Sequence, residues 1–267
     1  MVIFIVILIL AALVLLAMKG RSGHKGLAAL QGIRYAHRGL HGNGLPENSM
    51  AAFRAALDHG YGIELDIHLM KDGELAVIHD SSLKRTAGAD ICIEDLTAEQ
   101  LSDYPLEGTE EKIPLFREVL ELFQEKTPLI VELKEHGGNA AALCEAACKL
   151  LDQYRCTYCI ESFDPRCIIW LKRNRPEIIR GQLTENYFRT KVKIPGMLKF
   201  VLTHQLANFL SQPDFVAYDF HHRKTFSNWV CLKLWKMQGV AWTLRSPEDL
   251  PTAEQEGWLP IFEGFTP

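Results

Sequence analysis

The pattern of apolar and polar positions divides the chain into one long apolar run and a longer stretch where two periods alternate. Residues 2–18, VIFIVILILAALVLLAM, carry no charge. Seventeen residues rise about 25 Å as a helix, near the lower limit for crossing a bilayer. From residue 33 onward, short β-rich runs take turns with segments of helical spacing. The runs are IRYAH (33–37), YGIELDIHL (61–69), LAVIHD (75–80), PLIVELK (128–134), CTYCIESF (156–163), IIRGQLT (178–184), DFVAYDF (214–220), VAWTLR (240–245) and LPIFEGF (259–265). Between them, Met50, Phe53 and Leu57 share one helical face that Gly60 closes, and Phe116, Val119, Leu120 and Phe123 share another. Residues 139–154, NAAALCEAACKLLDQY, read as a further helix. Such alternation argues for a mainly parallel sheet with helical crossovers. Eight or nine strand candidates suit a closed (β/α)8 TIM barrel of the α/β class better than an open sheet. Two segments interrupt the rhythm: a polar excursion at 81–113, with a short helix expected at 97–103, and an excursion at 186–212 rich in basic and apolar residues.

The run at 2–18 has no basic residue before it, and Met18-Lys19-Gly20 makes a poor cleavage site. The pattern therefore predicts a transmembrane helix over 1–18 rather than a signal peptide. Lys19, Arg21, Lys25 and Arg34 follow it, which predicts a single-pass membrane protein with its bulk on the cytoplasmic side. Residues 19–32 read as a basic linker and 33–267 as the barrel. At 267 residues, 48% hydrophobic and 23% charged, the chain is long enough for one large domain. A net charge of −4 gives no support for nucleic-acid binding. Seven cysteines without framework spacing fit a reducing compartment. Cys156 and Cys159 form a C-x-x-C pair, but no second pair completes a zinc site, and both read as small core residues.

Candidate chemistry collects at the ends of the strand runs. In IELDIHL, residues two apart point to one face, so Glu64, Asp66 and His68 project together. Two carboxylates aimed into an apolar core are costly unless compensated, and a bound cation compensates them. Oxygen ligands of this kind suit Ca²⁺ or Mg²⁺. The same spacing recurs in IVELKEH, where Glu132 could add a third carboxylate and Lys134 could hold an anion beside it. Strand ends of a barrel converge on one mouth. His37 and His79 both end strand candidates, and such a pair suits acid–base work near neutral pH. His68, His221 and His222 are weaker candidates. A cation site with Arg38, Lys134 and two histidines suggests a phosphoryl substrate.

The motifs AHRG (36–39), PEN (46–48), IELDIHLMKDG (63–73), VIHD (77–80), VELK (131–134), ESF (161–163) and AWT (241–243) resemble those of the glycerophosphodiester phosphodiesterases. The resemblance covers about residues 33–263 and implies a (β/α)8 barrel and a metal-dependent hydrolase. It implies His37 and His79 as the catalytic pair and Glu64, Asp66 and Glu132 as ligands of one divalent cation. It places Arg38 and Lys134 on the phosphate and Trp242 against the glycerol. Two features depart from the family pattern. Arg245 stands where an asparagine is usual, and the chain closes with IFEGFTP instead of a T-D-x-P element, so no role passes to Glu263. Glu47 and Asn48 read as supports, Asn48 capping the following helix and Glu47 orienting Arg38 or the metal shell. Gly39, Gly42 and Gly44 would let the loop turn closely around a phosphate.

The mechanism this implies has the glycerol 2-hydroxyl lose its proton to one histidine and attack phosphorus. The other histidine protonates the departing alcohol, and water opens the cyclic phosphate to glycerol 3-phosphate. The reading favours His37 as acid and His79 as base. Two alternatives stay open: a lysophospholipase D-type hydrolase of membrane lysophospholipids, and a non-catalytic barrel that binds phosphoglycerol. The intact set of two histidines and three carboxylates argues against the latter. The excursion at 186–212 is expected to pack on the barrel, with an interfacial helix lying on a membrane as the alternative.

Overall fold

The computed structural model covers residues 1–267. Eight parallel strands close a barrel: β1 (Tyr35–His37), β2 (Gly62–Leu69), β4 (Leu129–Leu133), β5 (Tyr158–Ser162), β6 (Arg180–Thr184), β7 (Phe215–Asp219), β8 (Gln238–Leu244) and β9 (Trp258–Phe262). β1 pairs with both β2 and β9, and this completes the ring. The expected run at 75–80 is no barrel strand. Its first three residues form β3 (Leu75–Val77), which folds back antiparallel on β2. The turn between them, Lys71-Asp72-Gly73, is too short for the helical crossover a parallel strand would require.

The helical spacing of the sequence becomes α2 (Met50–Asp58), α3 (Phe116–Phe123), α4 (Ala140–Leu151), α5 (Pro165–Asn174), α6 (Gly196–Thr203), α7 (Asn208–Ser211), α8 (Phe226–Trp229) and α9 (Asp249–Glu256). Period-two alternation sorts the strand side chains. Ile63, Leu65 and Ile67 join Leu129, Val131 and Leu133 in the large apolar layer between barrel and helices. Ile130 turns inward with Tyr35, Phe215 and Ile261. Glu64, Asp66 and Glu132 also turn inward, nearer the strands' C-terminal ends, and all three are buried. The apolar layer thus fixes which way the carboxylates face.

The excursion at 81–113 carries its own small core, which includes Leu83, Ile93, Leu101 and Ile113, and the short helix expected near 97–103 is a 3₁₀ helix at Ala98–Asp103. The excursion at 186–212 contains α6 and α7. Thr203, Gln205, Asn208 and Ser211 are buried against the barrel, while Met197, Phe200 and Phe209 stay exposed.

α1 (Val2–Ala17) has 16 residues and none of them is buried. No helix of the chain is long and apolar enough to cross a membrane, which corrects the span expected at 1–18. At 1.5 Å per residue it rises about 24 Å, short of a hydrocarbon layer of about 30 Å. The helix is fastened at its C-terminal end, where the Trp235 indole N–H donates to the Leu15 carbonyl at 2.9 Å. The stretch at 19–32 lies against the barrel. Arg21 grips buried Asp214 just ahead of β7 through Nε and Nη2, at 2.5 and 2.6 Å, and Leu30 is fully buried. Arg34 pairs with Glu254 at 2.8 Å and Lys19 Nζ lies 5.1 Å over the Trp235 ring, so three of the four basic residues read as a membrane flank are engaged within the protein.

Candidate active site

His37 closes β1, Glu64 and Asp66 sit on β2, Glu132 ends on β4 and Trp242 lies on β8. Strand register brings them level: His37 stands opposite Glu64, and Asp66 opposite Glu132. One cavity of about 100 Å³ is lined by His37, Arg38, Glu64, His79, Glu132 and Trp242 among others. The mouth of the barrel therefore joins both histidines, Arg38, two of the expected ligands and the expected glycerol contact.

Each of Glu64, Asp66 and Glu132 offers a carboxylate oxygen, and these atoms lie within 4.8 Å of one another. Lys134 Nζ sits 2.9 Å from Asp66 Oδ1 and 2.8 Å from Glu132 Oε1. Lys134 is thus the cation that faces both carboxylates, whose contacting oxygens are buried. Burial and the neighbouring carboxylates push Glu64 well above the usual carboxylate range. Burial also raises Glu132, to about 7, against the pull of Lys134. Burial works against the Asp66 charge too, yet Lys134, His79 and Arg38 hold its carboxyl well below the usual range. Three buried carboxylates whose oxygens crowd within 4.8 Å fit a hard divalent cation.

The supports are partly as expected. Arg38 Nη1 donates to Glu47 Oε1 at 3.0 Å, so Glu47 does orient Arg38. Arg85, absent from the sequence expectations, holds Glu47 from the other side through both terminal nitrogens, at 2.9 and 2.6 Å. Asn48 is not the helix cap. It adopts φ 52° and donates from Nδ2 to Asp66 Oδ2 at 2.9 Å. Ser49 caps instead, its hydroxyl accepting the Ala52 N–H at 3.1 Å. The left-handed backbone turns Asn48 inward to the carboxylates and leaves the capping position to the next residue. Gly39 has φ 81°, and an added Cβ would lie 2.9 Å from Ala52 of α2, so this glycine lets the loop and helix approach.

Both histidines are backed by a carboxylate, and each carboxylate by an arginine. His37 Nδ1 lies 2.8 Å from Glu263 Oε2, which accepts from Arg245 Nη2 at 3.0 Å. His79 Nδ1 lies 2.6 Å from Asp80 Oδ1, and Asp80 Oδ2 accepts from Arg85 Nε at 2.6 Å. The hydrogen bond to His37 draws Glu263 down to about 2. Burial lowers both histidines below the ordinary value, and the paired carboxylate opposes this in each. Glu161 on β5 is buried with Oε2 unpartnered, and burial beside Glu132 pushes it well above the usual range. Sequence reasoning quoted ESF and VIHD without assigning Glu161 or Asp80. The H-D pair at 79–80 was the one available signal, because the Glu263 partnership spans 226 residues.

The outlying histidines do not join the site. His68 lies beyond it on β2, with Nδ1 2.7 Å from Glu94, and His222 bonds Asp219. All seven cysteines are free, and Cys159 is buried.

The profile of the glycerophosphoryl diester phosphodiesterase family matches residues 37–262. The chain belongs to that family. A family glycerophosphodiester phosphodiesterase from Bacillus altitudinis is 44% identical over 108 residues, covering 38% of this chain and 43% of its own. A rat lysophospholipase D is 37% identical over 133 residues, 45% of this chain and 41% of its own. The chain thus spans less than half the length of these two curated relatives. Among solved structures, the fold matches an Oleispira antarctica phosphodiesterase in complex with the product sn-glycerol-3-phosphate. The TM-score is 0.73 at 22% identity, over 91% of this chain and 95% of that one. A Thermotoga maritima glycerophosphodiester phosphodiesterase matches with a TM-score of 0.66 at 24% identity, over 86% and 94% of the two chains. These likenesses establish the TIM barrel.

Proposed function

We propose that the protein hydrolyses glycerophosphodiesters to glycerol 3-phosphate and an alcohol. One observation carries this reading: two carboxylate-backed histidines share a cavity with Arg38 and buried carboxylates that crowd within 4.8 Å. Glu64, Asp66 and Glu132 would hold one divalent cation, Ca²⁺ or Mg²⁺. That ion supplies charge neutralisation at the phosphate, worth several kcal/mol at the transition state.

The chain's own groups do the rest. Lys134 and Arg38 neutralise phosphate oxygens, Arg38 being steadied by Glu47. Trp242 presents a buried indole N–H with no protein partner, available to a polar substrate atom. Asp80 holds the His79 ring at Nδ1, leaving Nε2 to take the proton of the glycerol 2-hydroxyl. Glu263 holds His37 in the same way, leaving its Nε2 to protonate the departing alcohol. The cyclic ester is then opened by water with the proton transfers reversed. Acid–base help of this kind contributes about 10²- to 10⁴-fold per step.

The test is release of glycerol 3-phosphate from glycerophosphocholine. It should stop on addition of chelator and return with a single added cation. Release that ignores chelator would refute the reading.

For localisation we infer association with a lipid phase through α1. The support is a helix without a polar face, none of whose residues is buried against the protein. Flotation with liposomes should carry the full chain and leave behind a chain lacking residues 1–18. Equal flotation of both would refute it.

A further inference from the structure

A second, larger cavity adjoins the catalytic pocket. It encloses about 710 Å³, within the range of small-molecule sites. Glu132 and Phe163 line both spaces, and Lys134 lines the larger one. From that shared edge the cavity runs across the ends of β4, β5 and β6 beneath the 187–202 segment. Its far walls are Tyr187, Val192, Ile194, Leu198 and Leu202, with Phe163 at the near end. Three of the charged groups that line it are bound to one another, Arg166 Nη2 lying 2.5 Å from Asp164 and 2.9 Å from Glu135, while Glu185 lines it without an ion pair. Val192 and Leu198 remain 42% exposed although they line a concavity, which leaves apolar wall in water until an apolar ligand covers it.

The catalytic pocket is about one-seventh of this volume and holds Trp242. That space suits the glycerol and leaves no room for a chain. The other substituent on phosphorus must then leave across Glu132 and Lys134, into the larger cavity. We propose that this cavity takes the hydrocarbon tail of the departing alcohol, so that glycerol 3-phosphate esters of long-chain alcohols are preferred substrates. The inference rests on the glycerophosphodiester reading above. The chemistry is unchanged. The phosphorus–oxygen bond to the tail alcohol breaks, its electron pair stays on that oxygen, and the oxygen takes the proton from His37. The glycerol 2-hydroxyl bonds to phosphorus and gives its proton to His79.

The test is a series of sn-glycerol 3-phosphate n-alkyl esters, ethyl to octyl, kept below their micelle-forming concentrations. Each methylene that enters the cavity raises kcat/KM by up to about fourfold. The octyl ester, longer by six methylenes, should exceed the ethyl ester by up to about 4,000-fold by the same arithmetic. Ile194→Asp and Leu198→Asp should flatten the series and leave the ethyl ester within about twofold of the wild-type rate. Val192→Trp, which narrows the cavity and keeps it apolar, should move the optimum to shorter chains. A flat wild-type series with normal ethyl ester turnover overturns the tail site and leaves the glycerophosphodiester reading standing. A steep series that all three variants retain overturns the placement. A rise seen only with 1-acylglycerophosphocholines puts the tail on the glycerol side and also overturns it. No turnover of any ester, glycerophosphocholine included, removes the underlying reading itself.

Discussion

Replacing Glu263 by glutamine removes the anion behind His37 and keeps an oxygen acceptor in place. The Glu263 contact at Nδ1, 2.8 Å, is the hydrogen bond that supports protonation of His37 against its burial. A hydrogen bond to a charged group is worth about 1.5–3 kcal/mol and one between neutral groups about 0.5–1.5, so the exchange removes about 1–1.5 kcal/mol of support for the protonated ring and the His37 pKa should fall. Arg245, 3.0 Å from Glu263, loses its anion in the same change, and its charge then acts on His37 in the same direction. If His37 is the acid, the enzyme works while His37 is protonated, and activity is lost as pH rises through its pKa. Lowering that pKa moves the high-pH limb of kcat/KM to lower pH, by about one pH unit on that energy. The assay is the pH profile of glycerol 3-phosphate release for wild type and Glu263→Gln at saturating cation. Movement of the low-pH limb instead would make His37 the base. A profile in which neither limb moves would refute the coupling altogether.

Cation binding at pH 6 should release protons, because Glu132, raised to about 7, is largely protonated there and must ionise to bind. Calorimetry in two buffers of different ionisation heat measures this, and buffer-independent heats would contradict it. Glu132→Gln should cut turnover about 10³-fold, the loss of several kcal/mol of charge stabilisation, with circular dichroism unchanged. Arg21→Ala strands the buried Asp214 carboxylate and should lower unfolding stability by about 3 kcal/mol in urea, whereas no change would mean 19–32 does not bind the barrel. Gly39→Ala combines φ 81° with an approach of 2.9 Å to α2 and should lose about 1–3 kcal/mol in the same assay.

The barrel was legible because its signal is periodic. Ile63, Leu65 and Ile67 alternate with Glu64 and Asp66, and the alternation alone predicts one apolar face and one acidic face. β3 was misread because three apolar residues carry no information about direction; the short turn at 71–73 decides it. α1 comes out at 16 residues where a span over 1–18 was expected, and its rise of about 24 Å falls short of a hydrocarbon layer of about 30 Å. Asn48 looked like a cap because asparagine suits that position, and only the left-handed backbone shows it serving Asp66 instead. Glu263 was beyond reach. It meets His37 only when β9 closes on β1, a contact between opposite ends of the barrel sequence. The larger cavity was equally hidden, since it needs α6 folded back over the ends of β4, β5 and β6.

The central claim is that His37 and His79 divide proton transfer at one phosphodiester, and its most direct test compares two leaving groups. Glycerophosphocholine releases a poor leaving group that needs an acid, while the p-nitrophenyl ester of glycerol 3-phosphate releases one that does not. His79→Ala should lose about 10²-fold or more on both substrates. His37→Ala should lose as much on glycerophosphocholine and recover to within about tenfold of wild type on the p-nitrophenyl ester. Near-wild-type turnover of glycerophosphocholine by both variants would contradict the account.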